Sequence, residues 1–277
     1  MKDSLEAWRD TLKDLGVLGI VREPVAQAPA GGTPVAAGSS NPEPASLRPR
    51  SPVVPGPRSA PAAPHQAAYV PPASGPGCPP PGLVAGCNSL PELEAAIREC
   101  LACPLGPGRM KFVFGEGNPK ARLMFVGEGP GRDEDLQGRP FVGKAGELLD
   151  RMIGALGMKR EDTYIANVVK CRPPDNRTPT PEEAHACLGY LHRQIELIQP
   201  AVIVTLGATP LRELLGVGEG ITRVRGQWRQ LQVGGREIPV MPTFHPAYVL
   251  RQYTQEVRRV VWEDLKAAKA WMDAPPA

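Results

Sequence analysis

Four short apolar runs mark the second half of the chain: Leu123 to Gly127, Thr163 to Val169, Ala201 to Gly207 and Ile238 to Phe244, each bounded by turn-forming residues. Short runs without polar alternation read as strands buried on both faces, as in a parallel sheet. Between them the period changes to that of a helix, over Ala145 to Leu156, Pro181 to Ile198 and Pro210 to Leu215, with a last helical segment from Gln255 to Met272. Ser89 opens a further helical pattern, SLPELEAAIRECLA, that runs into a Cys100-x-x-Cys103 pair. Strands alternating with helices predict right-handed βαβ units, and so a three-layer α/β/α domain around a mainly parallel, four-stranded sheet. In such sheets ligands bind beyond the carboxyl ends of the strands.

The first third of the chain follows neither pattern. Leu5, Trp8, Leu12, Leu15 and Leu18 recur at helical spacing and predict a short amphipathic helix within residues 1–22. Composition then changes the picture, because 17 of the 34 prolines fall between Pro24 and Pro81, in a stretch dominated by Pro, Ala, Gly and Ser. Such a stretch cannot bury enough apolar surface to offset its ordering entropy, so residues 23–85 are expected to be a disordered linker. Residues 86–273 remain as the one folded domain. The net charge of +3 is compatible with a polyanionic partner without requiring one. No run approaches the roughly 18 apolar residues of a membrane span, and the mixed-charge amino terminus has no signal-peptide apolar region, so a cytoplasmic protein without membrane contact is expected. Six cysteines in such a chain point to metal ligands, catalytic groups or free thiols rather than to a disulfide frame.

The chemistry-bearing residues cluster at the strand ends. The first run exits into Gly127-Glu128-Gly129-Pro130-Gly131 followed by an acidic stretch. A dinucleotide fingerprint needs glycine where Arg132 stands, so that reading fails, but the turn lets backbone amides approach a ligand closely. Gly138 to Lys144 has phosphate-loop spacing, yet Ala145 replaces the magnesium-binding hydroxyl and no strand run precedes the loop. Phe141 within this loop is a core residue or a platform for a flat ligand. Asn167 is the polar residue near the close of the second run, where it either satisfies a neighbouring loop or pairs its amide with an amide-like edge such as a nucleobase. His245 follows the fourth run, ahead of Pro246, which points it to the same crevice. Cys100, Cys103, Cys171 and Cys187 can hold zinc or an iron–sulfur cluster, and spacing alone does not separate the two; His185 and His192 keep a mixed zinc site open. No serine follows Ser89, which excludes a serine hydrolase triad in the core.

Taken in order, GEGPGRDED, GRPFVGKAGELLD, YIANVVKCRPPDNRTP and HPAYVLR, with the four core cysteines, resemble the family 4 uracil-DNA glycosylases, the iron–sulfur branch of that superfamily. The resemblance covers about residues 89 to 270. It implies a [4Fe–4S] cluster on Cys100, Cys103, Cys171 and Cys187. It also implies hydrolysis of the N-glycosidic bond of flipped-out deoxyuridine in single- and double-stranded DNA, at the start of base excision repair and without backbone cleavage. Phe141 matches the aromatic that stacks on uracil, Asn167 the amide that reads its Watson–Crick edge, and His245 the histidine that steadies charge on the departing base. Glu128 and Gly129 match pocket-lining residues of the first motif, and Glu134 and Asn176 match polar groups near the sugar or water; either Glu134 or Glu128 positions the attacking water, or the cation forms first and captures water with little help. Lys144, Lys170, Arg172, Arg177 and Arg251 are expected to contact phosphates. The expected protein is a nucleoid-associated monomer, and its amino-terminal helix is either a weakly docked or isolated helix or a peptide that, with the tail, docks a repair or replication protein. Competing readings are a non-catalytic iron–sulfur nucleic-acid-binding module and a phosphate-loop nucleotide hydrolase.

Overall fold

The computed structural model describes residues 81–274, so the expected amphipathic helix and nearly all of the expected linker lie outside the described residues. The fold starts slightly before the predicted boundary. Helix α1 (Pro81–Gly86) carries Val84 into the core, and Cys87 just beyond it is buried too.

The four expected strands are present as β2 (Leu123–Gly127), β3 (Tyr164–Asn167), β4 (Val202–Leu206) and β6 (Arg236–Thr243), all parallel. Every residue of β2, β3 and β4 is buried, which is why those runs carry no polar alternation. The sheet nevertheless has six strands, in the order β1-β3-β2-β4-β6-β5, and the expectation of four is corrected by an antiparallel strand at each edge. Strand β1 (Glu116–Gly117) covers only the start of β3. Strand β5 (Arg229–Val233) joins β6 through the two-residue turn Gly234-Gly235, both at positive φ, as a type I′ hairpin turn demands.

Alternate residues of each strand face opposite helical layers. Met124, Val126, Ala166 and Ile203 pack in one core with α1, α2 (Leu90–Ile97), α6 (Pro181–Ile198) and α7 (Ala208–Leu215). The other face meets α10 (Gln255–Asp273) and, beside it, α5 (Lys144–Ala155) packed against α9 (Pro246–Arg251). The helices begin where capping chemistry says they should. Thr180 and Glu183 form a reciprocal capping box at α6, and Thr254 caps α10. Short helices α3 (Leu105–Gly108), α4 (Arg132–Gln137) and α8 (Ile221–Val224) complete the set among the described residues. Among those residues no helix is long and apolar enough to cross a membrane.

Chain direction matters for the site. From β2 the chain passes to β3 on one side, whereas β4 and β6 lie on the other side. The order therefore switches at β2, and a crevice opens at its carboxyl end.

Candidate active site

Four strand ends supply that crevice. Glu128 and Gly129 follow β2, Asn167 ends β3, Leu206 and Gly207 end β4, and His245 lies two residues past β6; all line a cavity of about 520 Å³. Glu134, Phe141 and Asn176 line it as well, so the seven catalytic and substrate-binding candidates of the sequence share one cavity. The size suits a ligand as small as a nucleobase with its sugar.

Phe141 is held in a conformation that aromatic residues rarely adopt, with φ of 51°. Such strain persists only where the surroundings over-determine it. Here they do so from three sides. The Glu134 carboxylate accepts from the N–H of Val142 (2.9 Å) and Gly143 (3.2 Å), and also from Gly131 (3.0 Å). Arg160, itself paired with Glu116 and Asp150, donates to the Pro140 carbonyl at 2.5 Å. Gly146 of α5 lies against the Phe141 backbone, where an added Cβ would stand 1.9 Å from the carbonyl oxygen. The ring ends up 5.6 Å from His245, nearly parallel to it. Gly127 makes this arrangement fit: a Cβ there would lie 2.4 Å from Asn167 Oδ1 and 2.6 Å from the Phe141 ring. The glycines of the first motif thus serve close packing of side chains, not a phosphate turn.

Asn167 is 2% exposed, and its Oδ1 is buried without a hydrogen-bond partner. An unpaired buried acceptor costs about 1–3 kcal/mol, so one on a residue that lines a cavity calls for a donor from a ligand. His245 caps α9 by accepting the Ala247 N–H on Nδ1 at 3.0 Å. That bond fixes the tautomer and leaves Nε2–H as the donor. Burial, helped by the positive Arg251, lowers the His245 pKa to about 4, so the ring is neutral at physiological pH.

The remaining residues sort by what they already hold. Glu128 Oε2 accepts from Thr209 Oγ1 at 2.5 Å, which orients its carboxylate in the cavity; Thr209 carries no motif that sequence reasoning could use. Glu134, expected beside the sugar or water, is taken up by three backbone N–H groups and acts as the brace of the Phe141 loop. Asn176 sits at the exposed rim, its Oδ1 accepting from Arg172 Nε at 2.7 Å. Arg177 and Arg251 also reach the rim, and Arg177 forks onto Glu183. Lys170 corrects the expectation of a phosphate contact. It is 0% exposed, with Nζ donating to the Asn167 carbonyl (2.9 Å) and to Gln194 Oε1 (2.6 Å), so it cannot reach DNA.

Behind Asn167 lie the four cysteines. Cys100 and Cys103 border the loop between α2 and α3, Cys171 follows β3, and Cys187 stands on α6; all belong to or pack on one core. Their charges act on one another, with Cys171 feeling Cys100 and Cys103, and Cys187 feeling Cys171 and Cys103. Among the described residues no group of three or more His, Cys, Asp or Glu is arranged to hold a metal ion, so the fit to a cofactor rests on the environment of the sulfurs. Two of the sulfurs face an N–H donor, Ala102 N–H at Cys100 (3.4 Å) and Arg109 Nη1 at Cys171 (3.7 Å), and the backbone amides near Cys103 and Cys187 favour the charged form of those thiols. Neutral thiols are weak acceptors, whereas the thiolates of an iron–sulfur centre are stabilised by such donors. Burial raises the bare Cys171 thiol to about 11 and pushes Cys103 and Cys187 up too, so loading a cofactor here releases protons. Tyr190, one turn after Cys187, brings its hydroxyl within 3.1 Å of Cys100 Sγ. His192 is buried on α6 near Glu196, and burial lowers its pKa to about 4.

Comparison with known proteins agrees with this geometry. The sequence profile of the Uracil DNA glycosylase superfamily matches residues 114–266, which contain the whole cavity lining. The chain is 53% identical over 180 residues to the type-4 uracil-DNA glycosylase of Thermotoga maritima, covering 64% of this chain and 91% of that protein. To the type-4 uracil-DNA glycosylase of Archaeoglobus fulgidus it is 44% identical over 183 residues, 65% of this chain and 91% of the relative. The type-4 uracil-DNA glycosylase of Saccharolobus solfataricus is 45% identical over 194 residues, 68% of this chain and 89% of the relative. With family profile, strand-end cavity and relatives in agreement, the chain belongs to the uracil-DNA glycosylase superfamily, among the type-4 enzymes, and is a DNA glycosylase of the hydrolase class.

Proposed function

We propose that the cavity takes up a uracil flipped out of DNA and that Asn167, Phe141, His245 and Glu128 excise it. The observation that carries this reading is the buried, unpartnered Oδ1 of Asn167 in a cavity walled by Phe141 and His245. Uracil N3–H satisfies that acceptor, and the amide N–H group donates to O4; cytosine presents the opposite pattern at both atoms. Phe141 provides the stacking face that repays part of the unstacking cost. Bond cleavage leaves an oxocarbenium-like sugar and a uracil anion. His245 donates from Nε2 toward the oxygen where that charge develops, and its neutrality means the proton stays on the ring. Glu128, steadied by Thr209, offers its charge to the cationic sugar and orients the attacking water. Gly129 carries no side chain that could act as a base. Among the described residues the cavity lining contains no lysine, and Lys170 behind it donates to Asn167 and Gln194, which fits hydrolysis without an amine-bound intermediate or strand cleavage. Arg177 and Arg251 at the rim suit the phosphates of single- or double-stranded DNA.

Cys100, Cys103, Cys171 and Cys187 would hold a [4Fe–4S] cluster, which when bound supplies a cross-link between α2, the segment after β3 and α6. Protein purified anaerobically is then expected to contain about four irons and four sulfides per chain and to absorb broadly near roughly 400 nm. Stoichiometric zinc without iron would reject the cluster.

The decisive assay incubates the protein with a uracil-containing oligonucleotide and then with alkali. Strand breaks that appear only after alkali support a monofunctional glycosylase. An intact strand after alkali would leave a DNA-binding module, and nucleotide hydrolysis in its place would favour the phosphate-loop reading. The pH profile carries a further expectation. The folded His245 pKa of about 4 lies below its ordinary value of about 6.5, so the donor stays in one form down to about pH 5. Single-turnover excision should show no break attributable to His245 between about pH 6 and 8 and should decline below about 5. Stability changes in the same direction: the unfolded chain takes up the proton from about pH 6.5 downward while the folded chain waits until about 4, so the His245 contribution is lost across that window. A break near pH 6.5 in the single-turnover rate that His245→Asn removes would show that the ring titrates unshifted.

A further inference from the structure

Lys170 is one of the largest fully buried side chains, and none of the excision chemistry above uses it. Removing an ammonium from water costs several kcal/mol unless it is paired and hydrogen-bonded, so its presence here needs a reason. Its surroundings supply one. The pairing of β1 with β3 covers Tyr164 and Ile165 and stops, so on that edge the carbonyl of Asn167 has no strand beside it. Lys170 Nζ fills the gap at 2.9 Å, and its second bond, to Gln194 Oε1, is fixed in turn because Gln194 Nε2 donates to the Phe114 carbonyl (3.0 Å) and to the Tyr164 hydroxyl (3.3 Å). Its charge is favoured by the neighbouring sulfurs of Cys171, the next residue in the chain, and Cys187 on α6.

We propose that Lys170 is a positioning residue that ties the four-cysteine centre to base recognition: its ammonium balances the negative sulfurs and at the same time holds the peptide of Asn167, so that the Asn167 amide meets uracil in one orientation. The inference rests on the reading that Asn167 pairs with uracil. It gives the cysteine centre an electrostatic and structural part in recognition, with no electron transferred. A lysine suits the place because it combines a compact positive charge with a reach from the cysteine segment back to the carbonyl three residues earlier.

The test measures dissociation constants of the iron-loaded full chain for free uracil and for a duplex with an abasic site, together with iron content. Lys170→Met keeps the length and removes the charge and both bonds. It should weaken uracil binding tenfold or more, with abasic-duplex affinity within twofold and iron unchanged. If Lys170→Met fails to fold or loses iron, Gln194→Met takes its place, since it leaves the ammonium but releases its second anchor; uracil should then bind at least threefold more weakly at full iron content. Unchanged uracil affinity in iron-loaded Lys170→Met, or in Gln194→Met where the first variant does not fold, overturns the inference, as does an equal loss for both ligands. Asn167→Ala serves as the control: if it too bound uracil as the wild type does, the fault would lie with base reading by Asn167 and not with the link through Lys170.

Discussion

Replacing His245 with alanine should lower the single-turnover rate of uracil excision by about 10²- to 10³-fold, the loss of about 2.7–4 kcal/mol that follows removal of one donor to a developing anion. Affinity for uracil-containing DNA should change far less, because the donor meets full charge only as the bond breaks. The side chain has a second task, since Nδ1 caps α9, and losing a cap costs about 1 kcal/mol of stability. His245→Asn separates the two: its side-chain oxygen can still accept the Ala247 N–H, while nothing replaces the Nε2 donor. Rapid-quench excision, melting and equilibrium binding on both variants read the roles apart. An alanine variant that lost affinity but kept its single-turnover rate would contradict the charge-stabilising role.

The second large effect is expected from Gly127→Ala, a change that adds one methyl group. That carbon would stand 2.4 Å from Asn167 Oδ1 and 2.6 Å from the Phe141 ring, far inside contact distance, so the amide and the ring must both give way. The ring cannot retreat easily, because Glu134, Arg160 and Gly146 close its loop on three sides. Base stacking on an aromatic is worth about 1–3 kcal/mol and a good amide–base pair another 1–3 kcal/mol. Displacing both predicts excision slower by roughly 30-fold to 10⁴-fold. Binding to undamaged DNA should hardly change, since the nearest atoms the new methyl meets belong to Asn167 and Phe141 and not to the rim arginines. Excision within threefold of wild type would mean that neither Asn167 nor Phe141 needs its observed place.

What the sequence made legible follows from the kind of signal each element carries. Strands β2, β3 and β4 are buried throughout, so they appear as uninterrupted apolar runs. Strand β5 reads Arg-Gln-Leu-Gln-Val with Leu231 and Val233 buried, a half-exposed edge whose alternation a search for apolar runs passes over. The Gly234-Gly235 turn between it and β6 was the available clue. Asn167 and His245 were readable because each is a polar residue closing an apolar run at the end of the sheet where ligands bind. Phe141 was readable only as a choice between core and platform, and its positive φ depends on partners as distant as Glu116 and Arg160. Lys170 was misjudged for the same reason. A lysine in a motif loop reads as a DNA contact, and only the fold shows that Gln194, 24 residues on, turns it inward. Thr209 and Tyr190 sit on helices as unremarkable core positions until Glu128 and Cys100 are brought beside them.

The central claim, that the Asn167 amide recognises uracil in this cavity, is tested most directly by single-turnover excision with Asn167→Asp on matched oligonucleotides carrying one uracil or one cytosine. Aspartate keeps the size and one acceptor but loses the donor to O4 and sets a negative charge against it. The account predicts a loss of uracil excision of at least tenfold, together with a rise in the ratio of cytosine to uracil removal, while the iron content stays that of the wild type. Uracil excision at the wild-type rate by an iron-loaded Asn167→Asp protein would contradict it.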